Sequence, residues 1–266
     1  MSGPPWPGLA WAALPMIGCM AVLAWRGLGQ VRSLAVAAAR LVVQLLLLGA
    51  VLGFVFQSEN PWVVGAVALV MLSASALTVG ERQRRGRSAW LLRGEAFGAL
   101  AIGAATTMAV GTHLVLGVHP WHDAATVVPM LGMVLGNSVN GLALAADRLD
   151  TELRANRDLI ELRLALGATA RQAAHEPLRA ATRAALTPAI QGMSMAGIVS
   201  IPGMMTGQLL AGADVGAALR YQILIYLLIA GTVGISTLLL LALRLHRYFT
   251  PAHQLRPAPA DETPAR

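Results

Sequence analysis

The chain contains no lysine; all 20 of its basic residues are arginine. A P-loop ATPase holds the β and γ phosphates with a lysine, and a Schiff-base enzyme needs a lysine amine, so this chain carries neither chemistry. Its single cysteine, Cys19, excludes an intrachain disulfide and a CxxC metal or redox pair. Charge is scarce, at 12 % of 266 residues against about a quarter in a soluble domain. Hydrophobic residues make up 56 %, enough for up to about seven transmembrane helices of about 20 apolar residues each. An ordinary soluble globule is therefore excluded.

The apolar runs predict spans near 9–25, 41–57, 61–80, 96–118, 126–146, 187–211 and 221–243. Nineteen of the 20 arginines fall in alternate gaps, 26–40, 81–95 and 147–186, and in the tail from 244; Arg220 is the exception. By the positive-inside rule these gaps are cytoplasmic, with the N-terminus outside and the C-terminus inside. The formal charge of +7 is thus a topology signal, and no nucleic-acid partner is expected. The chain is predicted to be an all-helical, multi-pass membrane protein. A single transmembrane domain is expected over 1–246, with a cytoplasmic loop at 147–186.

Met1 to Leu9 has no positive segment, so the first span is expected to stay as an uncleaved helix. Cys19 reads as a small buried apolar residue. Residues 247–266, rich in proline and alanine beyond Pro251, are expected to form a disordered cytoplasmic tail.

The interval 147–186 is where such a protein would meet a soluble partner. Leu149 to Leu166 is rich in helix formers, with i,i+4 pairs at Asp150/Arg154 and Arg154/Asp158. Gly167 suits the helix C′ position. Thr169 and Gln172 then stand at capping-box spacing, opening a short helix through Arg171, His175 and Glu176 that Pro177 is expected to break or bend. This is the geometry of a coupling helix, or equally of a solvated connector.

Three segments carry a family resemblance. They are Glu161-Leu162-Arg163-Leu164-Ala165-Leu166-Gly167-Ala168-Thr169, the run Arg183-Ala184-Ala185-Leu186-Thr187-Pro188 preceded by Arg179-Ala180-Ala181, and Gly197-Ile198-Val199-Ser200-Ile201-Pro202-Gly203-Met204-Met205-Thr206-Gly207. With Tyr221-Gln222-Ile223 they resemble the FetB-like ABC permeases linked to iron export, most specifically over 127–243. The resemblance implies a permease homodimer powered by a separate cytosolic ATPase that uses ATP and Mg, the permease itself binding no cofactor. Glu161 and Gly167 match the spacing of the loop by which many ABC permeases dock their ATPase, although Leu162-Arg163 replaces Ala-Ala. The candidate coupling residues are Glu161, Gly167, Thr169, Arg171, Gln172 and Glu176.

The translocation path is sought in the fifth and sixth spans. Met130, Met133, Asn137 and Asn140 fall at i, i+3, i+7 and i+10, and asparagines at membrane depth need a partner helix or a wet cavity. Pro202-Gly203 interrupts the sixth span, making Ser200, Pro202, Gly203, Met204 and Met205 a candidate gate, with freed carbonyls offered to a cation, or else a packing kink. His119, His122 and Asp123 offer metal-ligand types at an outer loop and are also ordinary turn residues.

No Asp, Glu or Arg lies within the seven predicted cores, which argues against proton-coupled transport, and no nucleophile with a base points to an intramembrane enzyme. The expected partners are the ATPase, a second copy, membrane lipids and the iron cargo. Transport of another metal or of a nucleotide sugar, and a membrane scaffold without transport, are the alternatives.

Overall fold

The computed structural model describes residues 6–57, 60–81, 87–117, 123–250, 252, 254 and 255, and these form helices and their connections with no strand among them. Two units are distinguished, Met1–Ser58 and Glu59–Arg266.

In the first unit, α1 (Trp6–Trp25) packs against α2 (Val31–Gln57). The reversal between them uses Gly27 at φ 64° and Gly29 at φ 70°, the left-handed region that glycine enters without a steric penalty. Leu41, Leu45 and Leu48 stay exposed along α2, as suits a helix whose solvent is hydrocarbon.

The second unit contains α3 (Pro61–Glu81), α4 (Arg87–Ala109, prolonged by a π-helical turn over Val110–Val115), α5 (Ala124–Ala155), α6 (Arg157–Ala165), α7 (Ala170–Ala173), α8 (His175–Met195), α9 (Gly203–Leu210) and α10 (Val215–Tyr248). The longest two, α5 and α10, pack on each other at the centre; α3 and α8 flank α5, and α4 flanks α10. Among the described residues five helices are long and apolar enough to cross a membrane: α2, α3, α4 with its π-helical end, α5 and α10; Trp11–Trp25 is a shorter apolar helix.

Small residues set the helix spacing. A Cβ on Gly141 would lie 2.9 Å from the Ala185 carbonyl oxygen and 2.9 Å from Val233 Cγ1, so α5, α8 and α10 can meet only because that position is glycine. Some nearby hydroxyl groups find partners inside the bundle. Thr107 on α4 and Thr232 on α10 share a hydrogen bond of 2.5 Å, and the Thr112 and Ser138 hydroxyls donate to carbonyls one turn back.

Four expectations change. The sixth span, expected over 187–211, is divided: α8 ends at Met195 and α9 starts at Gly203. Pro177 does not break its helix. The interruption falls upstream at Ala174, leaving Pro177 in the first turn of α8, where a missing N–H costs no hydrogen bond. The expected tail over 247–266 lies mostly outside the described residues, but its first part is ordered: Tyr248 ends α10, Phe249 is buried and the Thr250 N–H donates to the Gln254 carbonyl at 2.8 Å. Cys19, expected to be buried, is exposed, because within its unit α1 has α2 alone to pack on.

Candidate functional site

The loop between α5 and α8 folds by local rules. At the end of α6 the Gly167 N–H donates to the Leu164 carbonyl and the Ala168 N–H to the Arg163 carbonyl, both at 3.0 Å, with Gly167 at φ 88°. This is a complete Schellman ending. Two residues later the Thr169 N–H donates to Gln172 Oε1 at 2.9 Å and the Gln172 N–H to Thr169 Oγ1 at 3.4 Å, closing the expected capping box of α7. Thr169 and Gln172 are thus occupied with the cap.

A second apolar core seats this unit on the bundle. Ile160 of α6 and Ala170 and Ala173 of α7 pack with Leu149 and Leu153 of α5, Ala181 of α8 and Leu241 of α10. The outer side of α6 is different: Leu159, Leu162 and Leu166, at i, i+3 and i+7, are all exposed, Leu166 to 79 %. Sequence reasoning did not single out this apolar ridge, although its period is plain. Beside it Glu161 pairs with Arg157 at 2.8 Å, Arg171 is exposed, and exposed Glu176 lies 3.4 Å from His175. The capped unit is therefore a stiff body with an apolar ridge and mixed charges outward.

The intended path residues separate. Met130 is buried in the main core and Met133 is half-buried, whereas Asn137 and Asn140 are exposed on the surface of α5, the Asn137 amide donating to the Met133 carbonyl at 2.8 Å. Alongside runs a polar stripe of α8 that sequence reasoning missed: Glu176, Arg183, Thr187, Gln191 and Ser194 share one helical face, and all but half-buried Thr187 are exposed. Its signal was there, an i+7, i+11 period of polar residues within an otherwise alanine-rich helix. The α5 and α8 surfaces join at a cavity of about 460 Å³ lined by Arg148, Glu176, Arg179 and Arg183 among others.

The break between α8 and α9 is a tight loop. The Met195 carbonyl accepts N–H groups from Val199 at 3.0 Å and from Ile198 and Ser200 at 3.3 Å, and the Ser200 carbonyl accepts from Gly197, which sits at φ 77°. The Pro202 carbonyl accepts from the Thr206 N–H, and Pro202 stands at the N-cap of α9. The carbonyls of Met195, Ser200 and Pro202 are thus engaged within the protein. Ser200 and Gly203 are exposed; Met204 packs on the main core and Met205 is half-buried.

His119 and His122 lie outside the described residues. Asp123 caps α5, accepting the Thr126 N–H at 3.1 Å, and the described residues hold no group of three His, Cys, Asp or Glu side chains able to hold a metal.

One cluster had no counterpart among the sequence-based expectations. Arg244 of α10, 4 % exposed, donates to both carboxylate oxygens of Asp150 on α5 at 2.7 and 2.9 Å, and the Tyr248 hydroxyl donates to the same carboxylate at 2.6 Å. Glu95 of α4, also buried, lies 3.0 Å from Arg247 and 3.8 Å from Arg244. Each of Glu95, Asp150 and Arg244 stands one to four residues beyond the inner end of a predicted span. That common position was the available signal. The cluster ties α4, α5 and α10 together at the end of the bundle where α6 and α7 sit.

Long apolar helices in a bundle, with a capped helical unit at one end, define a multi-pass helical membrane protein. Residues 6–249 match the model of the uncharacterised protein family UPF0014, and the chain belongs to that family. It is 37 % identical to a UPF0014 membrane protein of Synechocystis sp., over 94 % of this chain and 96 % of that one. It is 30 % identical to the probable iron export permease protein FetB of Escherichia coli, over 81 % of each chain. To the protein ALUMINUM SENSITIVE 3 of Arabidopsis thaliana it is 31 % identical, over 82 % of this chain and 77 % of that one. No solved structure matches.

Proposed function

We propose that this chain is the membrane-spanning subunit of an ABC transporter of a bacterial inner membrane, exporting iron and driven by a separate cytosolic ATPase. The observation that carries the reading is the α6–α7 unit, seated on three bundle helices by its own core while exposing Leu159, Leu162 and Leu166. A partner gripping that ridge would move α5, α8 and α10 as a body, which is how nucleotide-driven closure is passed to a membrane domain. Iron as cargo is supported by likeness to the Escherichia coli relative.

In this reading α1, α2, α3, α4, α5, the α8–α9 pair and α10 make seven passages, the N-terminus outside, α6–α7 and the C-terminus in the cytoplasm, in line with the arginine distribution. Asn137, Asn140 and the α8 stripe would be costly against lipid. A second copy facing them across a hydrated path removes that cost, and a homodimer supplies it.

The test is ATP-dependent uptake of radioactive iron into inverted vesicles holding this chain and its cognate ATPase. Iron accumulation beyond that of a catalytically dead ATPase is expected, with loss of both accumulation and ATPase co-purification in Leu162→Glu/Leu166→Glu. Co-purification unchanged in that variant would refute the docking assignment. ATPase binding without iron uptake would refute iron as the cargo.

A further inference from the structure

We propose that the groove between the α7–α8 corner and the C-terminal part of α10 is a binding site for an anionic phospholipid. The groove encloses about 1010 Å³. One wall is apolar, formed by Leu238, Leu241, Ala242 and Leu245 of α10 with Leu178 of α8. Its rim carries Arg171, His175, Arg179 and His246, and no carboxylate among the described residues lines it. Arg171 and Arg179 have no ion pair among the described residues, unlike Arg148 and Arg157, which pair with Glu152 and Glu161.

The two halves of the groove match the two halves of one ligand. Leu238, Leu241 and Leu245 lie on the last turns of a helix long and apolar enough to cross a membrane, an apolar surface suited to acyl chains. In the topology proposed above, the basic rim begins where that helix leaves the bilayer, at the depth of lipid phosphates. Basic pockets at that depth between membrane helices are suited to acidic headgroups. A soluble phosphate would gain nothing from the leucine wall, and a neutral lipid nothing from two unpaired guanidinium groups. Arg171 belongs to α7, so a seated headgroup would brace the same capped unit that is proposed to receive the ATPase.

Lipid binding is read on the permease alone, without ATPase or iron, so its failure would leave the transport reading standing. The purified full chain in detergent is titrated with phosphatidylglycerol or phosphatidylcholine, and retained lipids are counted by native mass spectrometry. The expected result is at least a tenfold preference for phosphatidylglycerol. Arg171→Gln/Arg179→Gln should reduce that preference to under threefold. Arg26→Gln/Arg32→Gln, which removes the same charge elsewhere, should keep it. Ala242→Trp fills the groove without changing charge and should also lose the tight lipid, which keeps the test valid should the double arginine variant not fold. Equal binding of the two lipids by the wild type, or retention unchanged in Ala242→Trp, would overturn the site. Displacement of phosphatidylglycerol by inorganic phosphate alone would overturn the lipid assignment in favour of a simple anion site.

Discussion

Arg244 joins Asp150, Tyr248 and Glu95 around one buried guanidinium. Replacing it by methionine keeps an unbranched apolar stem, about two atoms shorter, and removes the guanidinium that faces Asp150 and the buried Glu95, while the contacts of Asp150 with Tyr248 and of Glu95 with Arg247 stay. Breaking a buried pair in this way costs about 3–5 kcal/mol. Arg244→Met is expected to lower the unfolding free energy in detergent by that order, whereas Arg148→Met, whose exposed ion pair with Glu152 is worth about 1 kcal/mol or less, should change it little. Steric effects at the same scale are equally specific. Gly141→Ala drives a methyl group into the Ala185 carbonyl and Val233, so a loss of about 1–3 kcal/mol is expected. Gly136→Ala, with nothing within 4 Å of the new atom, should be neutral or slightly stabilising, and thermal unfolding of both variants checks the contrast.

For the α6–α7 element, stiffness comes from two local devices, and each can be removed singly. Thr169→Ala deletes the side-chain half of the capping box at a cost of about 1 kcal/mol. Gly167→Ala forces a left-handed conformation on an L-residue at about 1–2 kcal/mol. Amide hydrogen exchange should quicken over 160–174 in both variants while α4 and the centre of α10 keep their protection. Exchange spreading equally through α10 would mean that the unit is fused into the main core. The polar stripe makes a second prediction at element scale. In a Cys19→Ser background, cysteine at Asn140 or Gln191 should react with a membrane-impermeant thiol reagent far faster than cysteine at exposed but apolar Ile223. Equal rates would place both faces in the same surroundings and remove the argument for a hydrated path.

At the scale of the whole molecule, the proposed transport depends on the polar faces of α5 and α8 being covered by a second copy across water. Asn137→Leu/Asn140→Leu makes the α5 face apolar without touching the packed core, since both side chains are exposed. Iron uptake into inverted vesicles is expected to fall to the level of the dead-ATPase control, with membrane insertion and ATPase binding retained; full uptake would leave these asparagines outside the path.

Much of this molecule is legible in its amino-acid sequence. The apolar runs mark α2, α3, α4, α5 and α10, and the Gly167–Thr169–Gln172 spacing carries the Schellman ending and the capping box, because hydrophobicity, helix period and cap chemistry act within a few residues. What a linear chain does not display is rotation and neighbourhood. Met130 and Asn137 lie on one helical face by arithmetic, yet Met130 is buried and Asn137 exposed, because α3, α8 and α10 cover α5 unequally along its length. Asp150 and Arg244 are 94 positions apart, and only the parallel packing of α5 on α10, C-terminal end beside C-terminal end, brings their charges to 2.7 Å. The chain's own composition determined that it is helical and membrane-spanning. Tertiary structure alone decided which polar residues are buried as partners, which are left on open faces, and where a basic rim meets a leucine wall, because each depends on contacts between helices that are distant in the chain.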